Sequence, residues 1–375
     1  MFEFKIVEDW IRNEISEKKI SGACVAVMKE GMPIFRGFYG YADIDRHIPV
    51  NEDSVFRLAS MTKPVTAVAV MLCVQDGLLD TEMPIDELLP EFAQMWLSEK
   101  SGERFSRGLK AKNKILLRHL LCHSSGLGCG ESGDIQYKKF KPQGDLDLAL
   151  AVHGYSQTFL EFEPGSAQAY SPVFALDVAA RMVEIVSRKN YAEFVSERIF
   201  RPLGMDHASY NLSDYKDGQC VLTYTSRDGK LSAKPTKHNF DEFPSGYTGG
   251  GAGLISSLDD YCKFSTELLF ALRGKGRILS KESADEIRRP RFDTSIPGIF
   301  DFFNWGYGVR VVGAKNDIQA LTPGSFGWSG AYGTHFWVDP VRGITAVYMH
   351  NSDTYGGAGA PHTQALERLV MQAIG

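Results

Sequence analysis

The residues best suited to do chemistry are a serine and a lysine three positions apart, Ser60 and Lys63, in the stretch FRLASMTKPVTAVAVM at residues 56–71. On a helix that begins near residue 60, the two side chains share one face about one turn apart. A lysine amine that is neutral, or shares its proton, can then take the serine proton while the N–H groups at the helix start favour the developing negative charge. A helix-capping serine with a solvated lysine is the alternative, because the SxxK spacing is common by chance. The apolar run after Lys63 favours a buried lysine and therefore the catalytic interpretation.

Tyr170 is a second candidate for proton transfer. It lies in EPGSAQAYSPVFALDV, on a short irregular approach to the next helix, where a phenolic oxygen can enter a cleft. Taken alone, Tyr170 is better explained as one of fifteen tyrosines, packing at the start of a helix.

The segment FGWSGAYGTHFWVDP, residues 326–340, is a third candidate because glycines at positions 327, 330 and 333 permit a close approach of a ligand or another backbone. A strand there can lend a backbone N–H to an oxyanion hole, the group of donors that stabilises the negative oxygen formed in acyl transfer. Ordinary strand packing with a bulge is the alternative.

The elements that must position these residues lie at both ends of the chain. The N-terminal part predicts an amphipathic helix in FEFKIVEDWIRNEI, a hairpin with its turn at Gly31 to Pro33, and a buried helix over residues 61–76 with Pro64 in its first turn. The C-terminal part predicts strands in WGYGVRVV, THFWVDP and GITAVYMHN, followed by a closing helix.

Residues 77–215 have a different sequence pattern, which predicts helices and long loops but no convincing strand pair. The pattern predicts an α/β (α+β) fold in which an antiparallel sheet has helices on both faces. We expect a discontinuous sheet domain from residues 1–76 and 216–375, and a mostly helical domain from residues 77–215. The loops at residues 97–113 and 128–147 are expected to border a cleft between these two parts.

Bulk composition excludes several classes of protein. The 375 residues are 43% hydrophobic and 23% charged with a net charge of −5, which is ordinary for a globular protein and gives no attraction to nucleic acid or anionic membranes. The longest apolar run, VAVMLCV at residues 68–74, is far below the roughly 18 residues that span a bilayer. We therefore expect a small-molecule ester or amide as the partner, with no nucleic acid and no membrane.

The N-terminus and the cysteines favour a cytoplasmic protein. The first twenty residues have acids at positions 3, 8 and 9 and no apolar core of the kind a signal peptide needs. The six cysteines are scattered without a CxxC pair, which favours free thiols. The motifs HExxH, the phosphate loop and GxSxG are absent, and no metal or cofactor is implied.

Taken together, the three segments resemble the serine beta-lactamase and penicillin-binding protein family, in the branch that holds class C beta-lactamases, D-amino acid peptidases and family VIII esterases. SMTK, then Tyr170 about a hundred residues later, then WSG near the C-terminus, follow the family's order and separations. LLCHSSGL at residues 120–127 and GGGAGLISSLDDYCKF at residues 249–264 are similar to two further family motifs.

This resemblance implies roles for individual residues. Ser60 corresponds to the serine that is acylated, Lys63 to its activating partner, and Tyr170 to the tyrosine that exchanges protons with the lysine. Trp328, Ser329 and Gly330 occupy the place of the family's substrate-binding KTG triplet. The backbone N–H groups of Ser60 and Ala331 correspond to the oxyanion hole.

Two departures from the family pattern bear on the substrate. The lactamase motif YxN reads Tyr170, Ser171, Pro172 here, and the KTG lysine is replaced by Trp328. An amide donor and a cation that would bind a beta-lactam or an acyl-D-Ala-D-Ala peptide are therefore missing. The resemblance thus favours a serine carboxylesterase acting through an acyl-enzyme at Ser60. The alternatives are a beta-lactamase or D-Ala-D-Ala carboxypeptidase, a D-amino acid peptidase, and a noncatalytic ligand-binding relative.

Overall fold

The fold is seen in a computed structural model that describes residues 2–102, 104–139, 146–234, 238–240, 243–299, 302–314 and 320–375. Its α-helices are α1 (Lys5–Ser16), α2 (Thr62–Gln75), α3 (Leu117–Leu121), α4 (Gly130–Lys139), α5 (Leu148–Ser156), α6 (Phe174–Ser187), α7 (Tyr191–Val195), α8 (Arg201–Leu203), α9 (Leu258–Leu272), α10 (Lys281–Arg288) and α11 (Pro361–Ile374). Its strands are β1 (Gly22–Lys29), β2 (Met32–Asp43), β3 (Ile48–Pro49), β4 (Val55–Arg57), β5 (Trp96–Ser101), β6 (Arg104–Lys110), β7 (Thr223–Arg227), β8 (Lys230–Lys234), β9 (Ile255–Ser257), β10 (Phe303–Trp305), β11 (Arg310–Val312), β12 (Phe326–Ser329), β13 (Thr334–Asp339) and β14 (Ile344–His350).

The main sheet is antiparallel and joins the two ends of the chain. Its strand order is β10-β11-β12-β13-β14-β1-β2-β3, so the C-terminal strand β14 pairs with the N-terminal strand β1. Val25 lies opposite Tyr348 in that register. The predicted sheet assembled from both chain ends is confirmed.

Helices cover both faces of this sheet, as predicted. We call the face covered by α1 and α11 the outer face; there Val25 and Trp337 pack in one apolar core with Leu366 and Val370 of α11. The inner face is covered by α9, where the Tyr261 ring meets the Phe336 ring with centroids 5.0 Å apart. Because side chains alternate along a strand, neighbouring residues of β12 and β13 belong to different faces.

The buried helix α2 is introduced by a short strand pair. β4 pairs with β9, and the N–H of Leu58 then donates to the carbonyl of Leu254 at 2.9 Å. Every side chain of α2 from Thr62 to Cys73 is buried, and Pro64 lies in its first turn, as predicted. The start of α2 is therefore fixed on one side by the segment that precedes β9.

The middle of the chain differs from its prediction in one respect. Residues 77–215 contain α3 to α8, but β5 and β6 form an antiparallel hairpin where no strand pair was expected. Neither strand shows alternating apolar residues, because the hairpin is mostly exposed; the Arg107 guanidinium packs over the Trp96 ring at 3.2 Å. The division into two domains remains a prediction.

Three smaller expectations were also wrong. The segment at residues 97–113 is largely this hairpin, and the segment at residues 128–147 contains α4, although residues 140–145 lie outside the described part of the chain. The first hairpin turns at Glu30 and Gly31, both with positive φ, so Pro33 belongs to β2 beside a bulge. The single strand expected in WGYGVRVV is split into β10 and β11 by a turn at residues 306–309.

Within the described residues, no helix is long and apolar enough to cross a membrane. All six cysteines are free thiols, and five of them are buried.

Candidate active site

Ser60 lies in a single tight turn, Ala59–Met61, directly before α2. Ala59 has a φ of 45°, in the left-handed region that non-glycine residues rarely adopt. Such strain persists only where the surroundings enforce it, and it is concentrated at functional sites. The Ser60 side chain is nearly buried, with 8% of the residue exposed.

The Ser60 hydroxyl receives two hydrogen bonds from the two other predicted residues. Tyr170 Oη donates to Ser60 Oγ at 2.7 Å, and Lys63 Nζ donates to the same oxygen at 3.1 Å. Lys63 Nζ also lies 4.9 Å from the centroid of the Tyr170 ring. Residues that are 110 positions apart in the sequence therefore converge on one oxygen atom, as the resemblance implies.

Lys63 is completely buried, and its amine is held by backbone carbonyls. Lys63 Nζ donates to the carbonyl of Pro172 at 2.5 Å and to that of Gly251 at 2.8 Å, in addition to Ser60. An ammonium has three donors, and all three are satisfied here. In a neutral amine, the two N–H groups can still donate to the two carbonyls, and the lone pair then faces the Ser60 hydroxyl. The solvated lysine considered from the sequence is thereby excluded.

A buried carboxylate beneath the lysine supports this arrangement. Asp177 of α6 accepts from the Gly251 N–H at 2.8 Å with one oxygen, and from the hydroxyls of Tyr247 and Tyr155 at 2.8 and 3.0 Å with the other. Burial raises the pKa of Asp177 to about 6, although these hydrogen bonds and the charge of Lys63 act in the opposite direction. Asp177 thus fixes the backbone whose carbonyl binds Lys63.

Aromatic side chains hold the Tyr170 ring. Trp328 Nε1 donates to Tyr170 Oη at 3.2 Å, and the Trp305 ring stacks on the Tyr170 ring with centroids 5.8 Å apart. The His123 ring lies 4.7 Å from Tyr170, and its Nδ1 accepts from the N–H of Ser171 at 3.2 Å. Burial, and then the charge of Lys63, place the pKa of His123 well below its ordinary value, so this imidazole is neutral.

The two side chains of the predicted WSG triplet lie on opposite faces of the sheet. Trp328 is on the inner face against Tyr170, whereas Ser329 Oγ is 2.7 Å from Nδ1 of His335 on the outer face. The period of two along a strand forces this separation. The Ser329 hydroxyl therefore faces away from Ser60. A substrate contact by the Ser329 backbone remains a prediction.

Gly330 brings the end of β12 against the backbone that leads to Ser60. A Cβ atom at Gly330 would lie 2.2 Å from the carbonyl oxygen of Leu58, and Thr334 Oγ1 donates to that same oxygen at 3.0 Å. Ala331 follows directly and is exposed. The two segments expected to form an oxyanion hole, at Ser60 and Ala331, are thus neighbours, while the role of their N–H groups remains a prediction.

Asp177, Trp305 and His123 were not identified as parts of the site from the sequence. Asp177 does carry a signal, since it is the only charged residue among the first seven of α6, and a buried charge requires a partner. His123 lies in the LLCHSSGL motif, but neither its packing against Tyr170 nor that of Trp305 could be assigned before the fold was known. Within the described residues, no group of three or more His, Cys, Asp or Glu is arranged to hold a metal ion.

A buried lysine and a tyrosine bonded to one serine, at the start of a helix beside an antiparallel sheet, define a class of serine hydrolase. A family model described as Beta-lactamase matches residues 7–369, and the chain belongs to that family. It is a serine hydrolase.

A relative and two solved structures agree with this membership. Esterase EstB from Burkholderia gladioli is 30% identical over 387 residues, which cover 95% of this chain and 92% of the relative. The structure of EstCE1, described as a hydrolase with promiscuous acyltransferase activity, superposes with a TM-score of 0.81 at 23% identity, over 99% of this chain and 97% of its own. A mutant of simvastatin synthase from Aspergillus terreus gives a TM-score of 0.81 at 20% identity, over 98% and 96%. At these identities the two structures establish the fold alone.

Proposed function

We propose that this protein is a carboxylesterase that forms an acyl-enzyme at Ser60. The observation that carries the proposal is the convergence of Tyr170 Oη, at 2.7 Å, and Lys63 Nζ, at 3.1 Å, on the Ser60 hydroxyl. A nucleophile and its base within hydrogen-bonding distance are the requirement for covalent catalysis by serine.

In the acylation step, Ser60 Oγ attacks the ester carbonyl as its proton passes to the pair formed by Lys63 and Tyr170. The negative oxygen of the tetrahedral intermediate is stabilised by the N–H groups of Ser60 and Ala331. Tyr170 Oη then returns the proton to the leaving alcohol as the ester C–O bond breaks. In deacylation, a water molecule attacks the acyl carbonyl and gives its proton to the same pair of residues. The pair returns a proton to Ser60 Oγ as the acyl C–O bond breaks, which releases the acid and restores the Ser60 hydroxyl.

The surroundings of Tyr170 support an ester over a beta-lactam. Pro172 stands where the family has an asparagine, and its backbone carbonyl binds Lys63. Trp328 stands where the family has a lysine, and its indole N–H is engaged with Tyr170. A neutral aromatic in place of a cation offers no ion pair to a substrate carboxylate but packs well against an apolar group. The relative named an esterase, at 30% identity, points the same way.

Replacement of the nucleophile tests this proposal. We expect Ser60→Ala to lower hydrolysis of p-nitrophenyl butyrate to below about a thousandth of the wild-type rate, because the covalent step is lost. Its far-ultraviolet circular dichroism should match that of the wild type. Ser106→Ala, which removes a hydroxyl exposed on β6, is the matched control and should retain full turnover.

Two further measurements separate the alternatives. A fluorophosphonate probe followed by mass spectrometry should place one adduct on Ser60, and an adduct elsewhere would contradict the proposal. Nitrocefin hydrolysis as fast as ester hydrolysis would favour a beta-lactamase, and release of D-Ala from an acyl-D-Ala-D-Ala peptide would favour a carboxypeptidase.

A further inference from the structure

The outer face of β12 carries a polar network that the acyl-transfer site does not contain. Ser329 Oγ lies 2.7 Å from His335 Nδ1, and His335 Nε2 lies 3.1 Å from Glu367 Oε1. Arg310 Nη2 donates to the same Glu367 oxygen at 2.8 Å. These four residues belong to β12, β13, α11 and β11, so the network links three adjacent strands to the C-terminal helix.

The network is buried and charged. Ser329, His335 and Glu367 are 4%, 3% and 2% exposed. Burial alone would raise the pKa of Glu367, but the hydrogen bond from His335 and the charge of Arg310 outweigh it and hold that pKa below its ordinary value. The charged form of Glu367 is therefore stabilised in the protein interior by His335 and Arg310. When Nε2 of His335 carries the ring proton and donates it in a hydrogen bond to Glu367, Nδ1 can accept a hydrogen bond from the Ser329 hydroxyl.

Neither stability nor a second catalytic centre explains this network. Buried ionic networks rarely stabilise a protein more than apolar side chains of the same size would. The order serine, histidine, glutamate is that of a hydrolytic triad, but Ser329 lies on the face of the sheet that α11 covers, and α11 itself supplies the glutamate. The network does, however, bind the strand that serves the candidate active site, because the inner face of β12 carries Trp328, which bonds Tyr170.

We propose that Ser329, His335 and Glu367 are positioning residues that fix β12 from behind. Ser329 lies between Trp328 and Gly330 in the sequence. The hydrogen bond from its side chain to His335 therefore restrains rotation of β12 about the strand axis. That restraint holds the Trp328 indole on Tyr170 and keeps Gly330, which precedes Ala331, against the Leu58 carbonyl that leads to Ser60. Active sites lose rate when their groups are displaced by about 1 Å, so a strand held on both faces is preorganised for acyl transfer. This inference rests on the proposed acyl-enzyme at Ser60.

The test is the rate of acylation in Ser329→Ala, measured from the pre-steady-state release of p-nitrophenol and from the rate of fluorophosphonate labelling. We expect acylation to slow about tenfold or more, while the dissociation constant of the substrate, taken from the concentration dependence of the burst rate, changes less than about twofold. Complete labelling of Ser60 at long times should persist. Ser329→Thr, which keeps a hydroxyl at this position, should recover most of the rate.

Ser21→Ala is the matched control. It also removes one buried serine hydroxyl, which donates to the carbonyl of Tyr41 at 2.8 Å directly before β1, outside the network. We expect it to lower the thermal midpoint by a similar amount while acylation stays at the wild-type rate. Glu367→Gln preserves the shape of the network without its charge, and should slow acylation even if Ser329→Ala folds poorly.

The outcomes separate this inference from the proposed function. Acylation at the wild-type rate in both folded network variants would overturn the positioning role and leave the acyl-enzyme intact. Equal slowing by Ser21→Ala would also overturn it, because the effect would then be a general loss of packing. Absence of any Ser60 adduct in the wild type would overturn the acyl-enzyme and this inference together.

Discussion

Tyr170 connects Ser60 to the sheet, because its hydroxyl donates to Ser60 and accepts from Trp328. In the proposed mechanism, the indole N–H would stabilise the phenolate that forms when Tyr170 gives its proton to a leaving group. The stacked ring of Trp305 fixes the phenol in the plane needed for both bonds. Under that proposal, the neutral Trp328 would assist proton transfer by Tyr170, whereas the family's lysine at this position binds the substrate.

Removing the Tyr170 hydroxyl should therefore remove proton transfer without disturbing the packing. We expect Tyr170→Phe to lower kcat for p-nitrophenyl butyrate by about 100-fold to 10,000-fold, the usual contribution of a general acid or base. The thermal midpoint should change little, because the ring remains among Trp305 and Trp328. Tyr41→Phe, at an exposed tyrosine on β2, is the control; a loss in Tyr170→Phe no larger than in that control would exclude a role in proton transfer.

The Trp328 indole should have a smaller effect. Trp328→Phe keeps a smaller aromatic ring against Trp305 and removes the N–H that bonds Tyr170, together with the rest of the pyrrole ring. A neutral hydrogen bond contributes about 0.5–1.5 kcal/mol, so kcat should fall about twofold to tenfold with KM for small esters nearly unchanged. Trp10→Phe on α1 controls for the loss of an indole elsewhere. A rise in KM without a fall in kcat would mean that Trp328 binds substrate and does not assist Tyr170.

At the scale of elements, the position of β12 against the start of α2 decides whether an oxyanion hole can exist. Gly330 permits that contact because its backbone is pressed against the Leu58 carbonyl, and Thr334 bonds the same oxygen. Leu58 is in turn bonded to Leu254, so the turn at Ser60 is held between β12 and the segment before β9. The site is therefore an interface between elements from both ends of the chain.

Adding one methyl group at Gly330 should separate these elements. In Gly330→Ala the new Cβ would lie 2.2 Å from the Leu58 oxygen and 2.3 Å from Thr334 Oγ1, so β12 must shift away from Ser60. We expect kcat/KM to fall about 100-fold or more, the effect of losing one oxyanion donor. Gly324→Ala, where a Cβ meets open space before β12, is the control and should lower only stability. Full activity in folded Gly330→Ala would rule out an oxyanion role for Ala331.

For the whole molecule, the buried Asp177 makes the free energy of unfolding depend on pH. Its folded pKa of about 6 lies above the ordinary aspartate value of 3.8, so between these pH values the folded state binds a proton that the unfolded state has lost. The contribution of Asp177 is therefore most favourable below about pH 4 and is lost as pH rises through 6. Asp177 accepts from the Gly251 N–H, and the Gly251 carbonyl accepts from Lys63, so the titrating carboxyl group is linked to the lysine through one residue.

Urea unfolding at pH 4 to 7 measures this linkage. We expect the stability of Asp177→Asn relative to the wild type to increase by about 2–3 kcal/mol across that range, at 1.36 kcal/mol for each pKa unit. Asn can still accept from Gly251 and donate to the tyrosines, so the variant should fold. Asp228→Asn, at an exposed position with a φ of 51° that Asn also tolerates, should show no such trend. Parallel pH profiles for the two variants would contradict a raised pKa at Asp177.

The sequence predicted secondary structure correctly where the apolar periodicity of a segment matches the face that the fold buries. The apolar helix after Lys63, the hairpin at the N-terminus and the C-terminal strands follow from periodicity, and their helix-flanked antiparallel sheet is confirmed. The β5–β6 hairpin was missed because its strands are exposed and polar, so no apolar alternation marks them. The turn between β10 and β11 was missed because an apolar run was interpreted as one strand.

The sequence by itself determined which residue types were available for chemistry and which family they resemble. Ser60 and Lys63 are joined by a local spacing that a helix converts into contact, and this required no tertiary information. Only the tertiary structure decided which side of β12 faces the site, because a strand's alternation gives two faces but does not say which one meets Tyr170. It also decided that Asp177 supports Lys63 through Gly251, and that Ser329 turns away to His335 and Glu367. These contacts join distant parts of the chain, and only the packing of α6, α11 and the sheet brings them within hydrogen-bonding distance.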